Sequence, residues 1–148
     1  KKGEDYTGVA VVYFCHDGRG NFLLNKRSRP LETEHHVCRD EHGTWDPGGG
    51  GVEFGDTVEN SLIKEIKEEY CTDVIEYEFL GFRDVHREHN SKKTHWVALD
   101  FKVLVDRDKV GNGEPHKLDT VEWFTLNNLP TPLHSQFPNF LKLYKSKL

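Results

Sequence analysis

The 148-residue sequence contains no methionine, not even at its first position, so a trimmed chain is expected. Its cysteines are few and odd in number: Cys15, Cys38 and Cys71 form no close pair, which argues against a disulfide framework and for a reducing, cytoplasmic setting. Long apolar runs are missing, and the charged opening KKGEDYTG has no signal-peptide core, so neither a membrane-spanning helix nor a leader is expected. Positive charge is not in excess either. With a net charge of -5, the chain has no global attraction for duplex nucleic acid or an anionic membrane, and any phosphate has to be bound locally, through cations. What is present is a polar globular composition, 35% apolar and 30% charged, at a length that buries roughly two-thirds of the unfolded surface in one domain, residues 1–148.

Residues 8–14, GVAVVYF, are β-branched and aromatic, and residues 21–26 follow across the turn signal DGRG, which predicts a hairpin. The polar, aperiodic stretch 27–45 reads as a long loop of the kind that carries function. Asp56 is the expected cap of a helix reaching Tyr70, with Glu59 completing a capping-box pattern and Leu62, Ile66 and Tyr70 forming the buried stripe. Residues 74–84 and 94–105 read as strands of a second hairpin separated by the polar VHREHNSKK, residues 121–125 as a short strand, and residues 137–148 as an amphipathic helix. Strands, helix, strands, helix is the order of an α+β sandwich with helices packed on a sheet.

Two features of the sequence belong together. Residues 46–56, DPGGGGVEFGD, hold four consecutive glycines, and residues 64–69, KEIKEE, crowd Glu65, Glu68 and Glu69 onto one helical face. Like charges at that spacing repel, and hard divalent cations prefer carboxylate oxygens, so the helix face can be a metal site. A solvated acidic face, with Lys64 and Lys67 as intrahelical partners, accounts for the helix alone equally well. The glycines favour the metal, because backbone without side chains can approach a ligand closely with its N–H groups or carbonyls.

Residues 50–72, GGVEFGDTVENSLIKEIKEEYCT, resemble the Nudix box, G-x5-E-x7-R-E-U-x-E-E-x-G-U, where U is aliphatic. Gly50, Glu65, Ile66, Glu68 and Glu69 match it; Asp56 stands for Glu, Lys64 for Arg, Cys71 for the late glycine and Thr72 for the last aliphatic residue. The flanks also resemble the family: an arginine-bearing strand end, a tryptophan before the PGG, and a WF strand followed by an LP turn.

The resemblance implies a Nudix fold, an α/β/α sandwich with a mixed central sheet. It further implies an enzyme that uses Mg²⁺ or Mn²⁺ to hydrolyse a pyrophosphate bond in a nucleoside diphosphate-linked substrate. Carried over, Glu65, Glu68, Glu69 and the Gly50 carbonyl would hold the metal, Glu68 or Glu65 would serve as the base, and Lys64 would orient the glutamates. Lys64 lacks the planar fork of the family arginine, Asp56 shortens its partner by one methylene, and Cys71 predicts a rearranged helix end. Arg27 and Arg29 are either phosphate ligands or exposed surface arginines, Glu53 is a candidate ligand through water, and Glu114 a candidate extra ligand or base. Trp45, Phe54 and Trp123 are either core or base-stacking residues.

His35, His36, Cys38 and His42 match no standard zinc module, and they read as solvated, as do His86 and His89, for which contact with substrate is the alternative. In the family, ADP-ribose hydrolases tend to carry a proline, and dinucleoside polyphosphate hydrolases a tyrosine, some way after the box. Residues 83–90, RDVHREHN, hold neither, which leaves nucleoside triphosphates as the leading substrate class. The competing readings are a nucleotide-binding module without turnover and a zinc-stabilised interaction domain. The expected partner is a small-molecule nucleotide, with a homodimer left open.

Overall fold

The computed structural model describes residues 1–28 and 41–148. Seven strands and two helices follow one another: β1 (Gly8–His16), β2 (Phe22–Arg27), β3 (Trp45–Asp46), β4 (Gly49–Gly51), α1 (Val58–Tyr70), β5 (Val74–His89), β6 (Lys92–Val105), β7 (Leu118–Phe124) and α2 (Phe137–Tyr144). Among these residues, no helix is long and apolar enough to cross a membrane.

The sheet runs β3-β2-β1-β6-β5, with β4 added to β1 and β7 to β2. It is mixed: β1 and β6 are parallel from Gly8 opposite Trp96 to His16 opposite Leu104, and the other pairs are antiparallel. β1 meets β2 only at His16 opposite Phe22 and then diverges, which frees its edge for β4 at Ala10, Val11 and Val12. Three of the four consecutive glycines, Gly49–Gly51, are therefore a strand. A run without side chains carries no period-two signal, so its pairing is invisible in the sequence.

Alternation along β1 sorts the core into two layers. Val11, Tyr13 and Cys15 point to one side, where they meet Leu62, Ile66 and Tyr70 of α1 together with Phe101 and Val103. Phe14 points to the other, where it packs with Phe22, Leu24, Leu80 and the α2 residues Phe137, Phe140 and Tyr144. Helices on both faces of a mixed sheet make the expected α/β/α sandwich.

Three local expectations change. The polar stretch after Asp84 is not a connection: β5 and β6 stay paired to His89 opposite Lys92, and Asn90 and Ser91, both at positive φ, form the two-residue turn. Polar residues there project beyond the core, so cross-strand pairing rather than apolar patterning holds them. β7 starts at Leu118 rather than 121, because its early residues pair with Lys26 and Arg27. The cap of α1 is Thr57, whose hydroxyl accepts from Asn60 N at 3.0 Å, while Asp56 sits one residue outside the helix.

Candidate active site

The stripe Leu62, Ile66 and Tyr70 fixes how α1 rolls onto β1, and that roll decides where the glutamates go. Glu65 and Glu69, one turn apart, face the glycine strand. A Cβ on Gly48, which lies at φ +110°, would collide with Glu69 Oε1, and one on Gly50 would collide with the Glu65 carboxyl group. Only glycine lets the backbone come this close to the carboxylates. Glu68 lies on the exposed side of the same helix.

The far end of α1 is held by a loop. The N–H groups of Gly111 and Gly113 donate to the carbonyls of Tyr70 and Glu69, both at 3.0 Å, satisfying helix-end acceptors. This docking brings Glu114 to bear on Glu65 and Glu69. Cys71 keeps the left-handed conformation of the glycine it replaces, at φ 63°, and its N–H bonds Lys67 O. The rearrangement expected there does not occur, because these bonds outweigh the modest cost of a left-handed non-glycine residue.

Burial pushes the Glu69 carboxyl well above the usual carboxylate range, and the negative charges of Asp46, Glu114 and Glu65 add to it, against a lowering hydrogen bond from Tyr13 Oη at 2.8 Å. Glu65 is raised by burial and by Glu68 and Glu114, with Lys64 and Lys117 opposing. Asp46 Oδ1 accepts from Gly48 N at 2.7 Å, and its Oδ2 lies 3.3 Å from Arg27 Nη1. Tyr70 Oη donates to Pro47 O at 2.7 Å and accepts from Asn25 Nδ2 at 2.8 Å, pinning the glycine run to the helix.

Like-charged carboxylates thus act on one another beside closely approaching backbone, opposed in part by Lys64 and Lys117. A hard divalent cation fits this oxygen-only donor set, since it supplies positive charge and prefers such ligands. Next to the glycine strand opens a cleft of about 480 Å³, lined among others by Arg27, Arg87, Trp96, His134, Phe137 and Phe140. Arg87 Nη2 lies 2.7 Å from Glu41 Oε2, and His134 Nε2 lies 3.4 Å from the same oxygen.

The NUDIX domain profile matches residues 6–144. The chain belongs to the Nudix family. Its fold also matches a MutT Nudix hydrolase from Burkholderia pseudomallei, with a TM-score of 0.77 and 26% identity over 94% of this chain and 98% of that one. A MutT protein from Methanosarcina mazei Go1 superimposes with a TM-score of 0.73 at 21% identity, covering 95% of this chain and 94% of the other. The Nudix domain of Shewanella oneidensis NrtR, solved with ADP-ribose, has a TM-score of 0.68 at 14% identity, over 97% and 89% of the two chains. As a Nudix hydrolase the chain is a pyrophosphohydrolase, and Nudix hydrolases generally use a divalent metal.

Within this Nudix frame, the residues singled out from sequence divide. Gly50, Glu65 and Glu69 come together, and Arg27 reaches the cleft; Arg29, His35, His36 and Cys38 lie outside the described residues. Lys64 Nζ lies 3.9 Å from Asp56 Oδ2, at the limit of an ion pair and half exposed, so this brace is weak. Glu53 is turned away to Lys2, at 3.2 Å. Trp45 is core, edge-on to Phe124, whereas Phe54 is fully exposed and Trp123 lies under Arg107. His86 is on the sheet face opposite the cleft-lining Arg83, Val85 and Arg87, so it does not reach the cleft. Asp46 and Tyr13 were not anticipated. A tyrosine alternating with Val11 and Cys15 in a core strand is a usable signal, because its buried hydroxyl needs a partner.

Proposed function

We propose that the chain hydrolyses a pyrophosphate bond of a nucleoside triphosphate with Mg²⁺, or Mn²⁺ in its place. The observation that carries this reading is Glu65 and Glu69 held against the glycine run, with Asp46 and Glu114 adding like charge, beside an arginine-bearing cleft. Glu65, Glu68, Glu69 and the Gly50 carbonyl are the proposed metal ligands. When bound, the ion would polarise a phosphoryl oxygen and lower the pKa of a coordinated water.

The chain's own groups have separate tasks. Tyr13 orients Glu69 through its hydroxyl, and the docked 111–118 loop holds Glu114 against the helix end. Arg27 meets a substrate phosphate, steadied by Asp46. Glu68, exposed on the same helix, takes the proton of the attacking water, with Glu65 as the other candidate base. Trp96 offers the cleft flat apolar surface for a base. Lys64 acts on Glu65 through its charge rather than by a guanidinium-like fork.

The test is a panel of nucleoside di- and triphosphates, ADP-ribose and dinucleoside polyphosphates with Mg²⁺ or Mn²⁺, read by chromatography of the nucleotide products. Turnover of triphosphates above the rest, lost in Glu69→Gln, is the expected result. Preferential cleavage of ADP-ribose or of a dinucleotide would overturn the substrate class and leave the metal site standing. Tight nucleotide binding without turnover, unchanged by Glu69→Gln, would overturn both.

A further inference from the structure

The face of the β5–β6 hairpin turned away from the cleft carries a second group of metal-binding side chains. In the antiparallel register His86 stands directly opposite His95, Asp84 opposite Val97 and Glu88 opposite Lys93, so the first three of these chemistry-bearing groups share one patch. The two imidazole rings stack with centroids 4.0 Å apart and planes 24° from parallel. Asp84 Oδ1 lies 3.1 Å from His95 Nε2, and one ligand atom from each of Asp84, His86 and His95 lies within 4.8 Å of the others.

We propose that Asp84, His86 and His95 bind a divalent transition ion, Zn²⁺ first among them. Two neutral imidazoles and one carboxylate are a donor set for borderline ions, not for Mg²⁺, which favours oxygen alone. Ligand atoms around one tetrahedral Zn²⁺ sit about 3.4 Å apart, so small rotations of these side chains close the set. When an ion takes His95 Nε2, the ring carries its proton on Nδ1, which lies 3.2 Å from Thr7 Oγ1. That hydroxyl is placed as the outer partner that fixes the orientation of a ligating histidine. Remaining coordination positions face solvent and would be filled by water, because Asp84 and His86 are exposed. The two proposed sites therefore sort different ions: oxygen donors around α1 for Mg²⁺, mixed nitrogen and oxygen donors on the hairpin for Zn²⁺.

The experiment is calorimetric titration of the chelator-stripped full chain with Zn²⁺ in the presence of excess Mg²⁺, which keeps the oxygen site occupied. A binding event that weakens at least about 100-fold in the His86→Ala, His95→Ala double variant, and about tenfold in Thr7→Val, is expected. Thermal melting of the metal-free variants should match that of the parent chain, because the ligands lie at the surface. Absence of Zn²⁺ binding by the parent chain, or equal affinity in the double variant, would overturn the proposal. Retained affinity would assign the ion to other histidines of the chain.

Discussion

Two carboxylates lie on opposite faces of the same sheet and live by opposite rules. Asp100, fully buried on the α2 side, accepts from Arg83 Nε at 2.7 Å and Nη2 at 2.8 Å, and from Tyr144 Oη at 2.6 Å. Its charge is compensated within the fold, and burial together with that hydrogen bond pushes Tyr144 up. Glu69, on the α1 side, has the Tyr13 hydroxyl as its hydrogen bond and Asp46, Glu114 and Glu65 as like-charged neighbours. The first arrangement is complete without a ligand, whereas at the second the charges of Asp46, Glu114 and Glu65 push against that of Glu69. The difference separates a structural ion pair from a site built to receive a cation.

The largest effect should follow from breaking the completed side. Arg83→Ala strands the Asp100 charge and should cost about 3–5 kcal/mol in denaturant unfolding, whereas replacing Arg83 and Asp100 together by apolar residues should recover most of that loss. Glu69→Gln should do the reverse, holding or raising stability of the metal-free chain while lowering turnover at least about 100-fold in a pyrophosphate-release assay.

A third carboxylate sharpens the comparison through pH. Burial works against the Asp17 charge, but hydrogen bonds from Asn21, the Arg19 N–H and Arg107 outweigh it and lower the group from 3.8 to about 2. A depressed folded-state pKa means stability present above 3.8 and lost as pH falls towards about 2. Asp17→Asn should therefore cost about 1–2 kcal/mol at neutral pH in denaturant titrations, with the gap to the parent chain closing through that acid window. Tyr13→Phe removes the Glu69 partner and should cost about 1 kcal/mol in folding, with reduced turnover. Smallest of all, Lys64→Ala should change stability by less than about 1 kcal/mol, since its pair with Asp56 is long and exposed.

The helix and its glutamates were legible because a 3.6-residue period writes Leu62, Ile66 and Tyr70 on one face and forces Glu65 and Glu69 beside them. The cap slipped by one residue, since Asp56 and Thr57 are both good caps and only the backbone path chooses. Pairing across the sheet was legible only in part: both expected hairpins are present, whereas the docking of β4 on β1 and of β3 on β2 was not foreseen. Tyr13 reaches Glu69 because α1 packs on the face of β1 that carries it, and Asp46 arrives because β3 docks on β2; the buried tyrosine signals that it needs a partner but not which one. The extension of the hairpin beyond Asp84 was hidden because residues 86–93 are wholly polar, and with it went the cluster of Asp84, His86 and His95.

Thermal unfolding of the parent chain and Glu69→Gln, each with and without saturating Mg²⁺, addresses the cation site most directly. The parent chain should gain several degrees on adding Mg²⁺, the stabilisation expected of a ligand that binds the folded state, and Glu69→Gln should gain almost none. Equal Mg²⁺-induced shifts in the two proteins, or none in the parent chain, would contradict the assignment of Glu69 to a cation site.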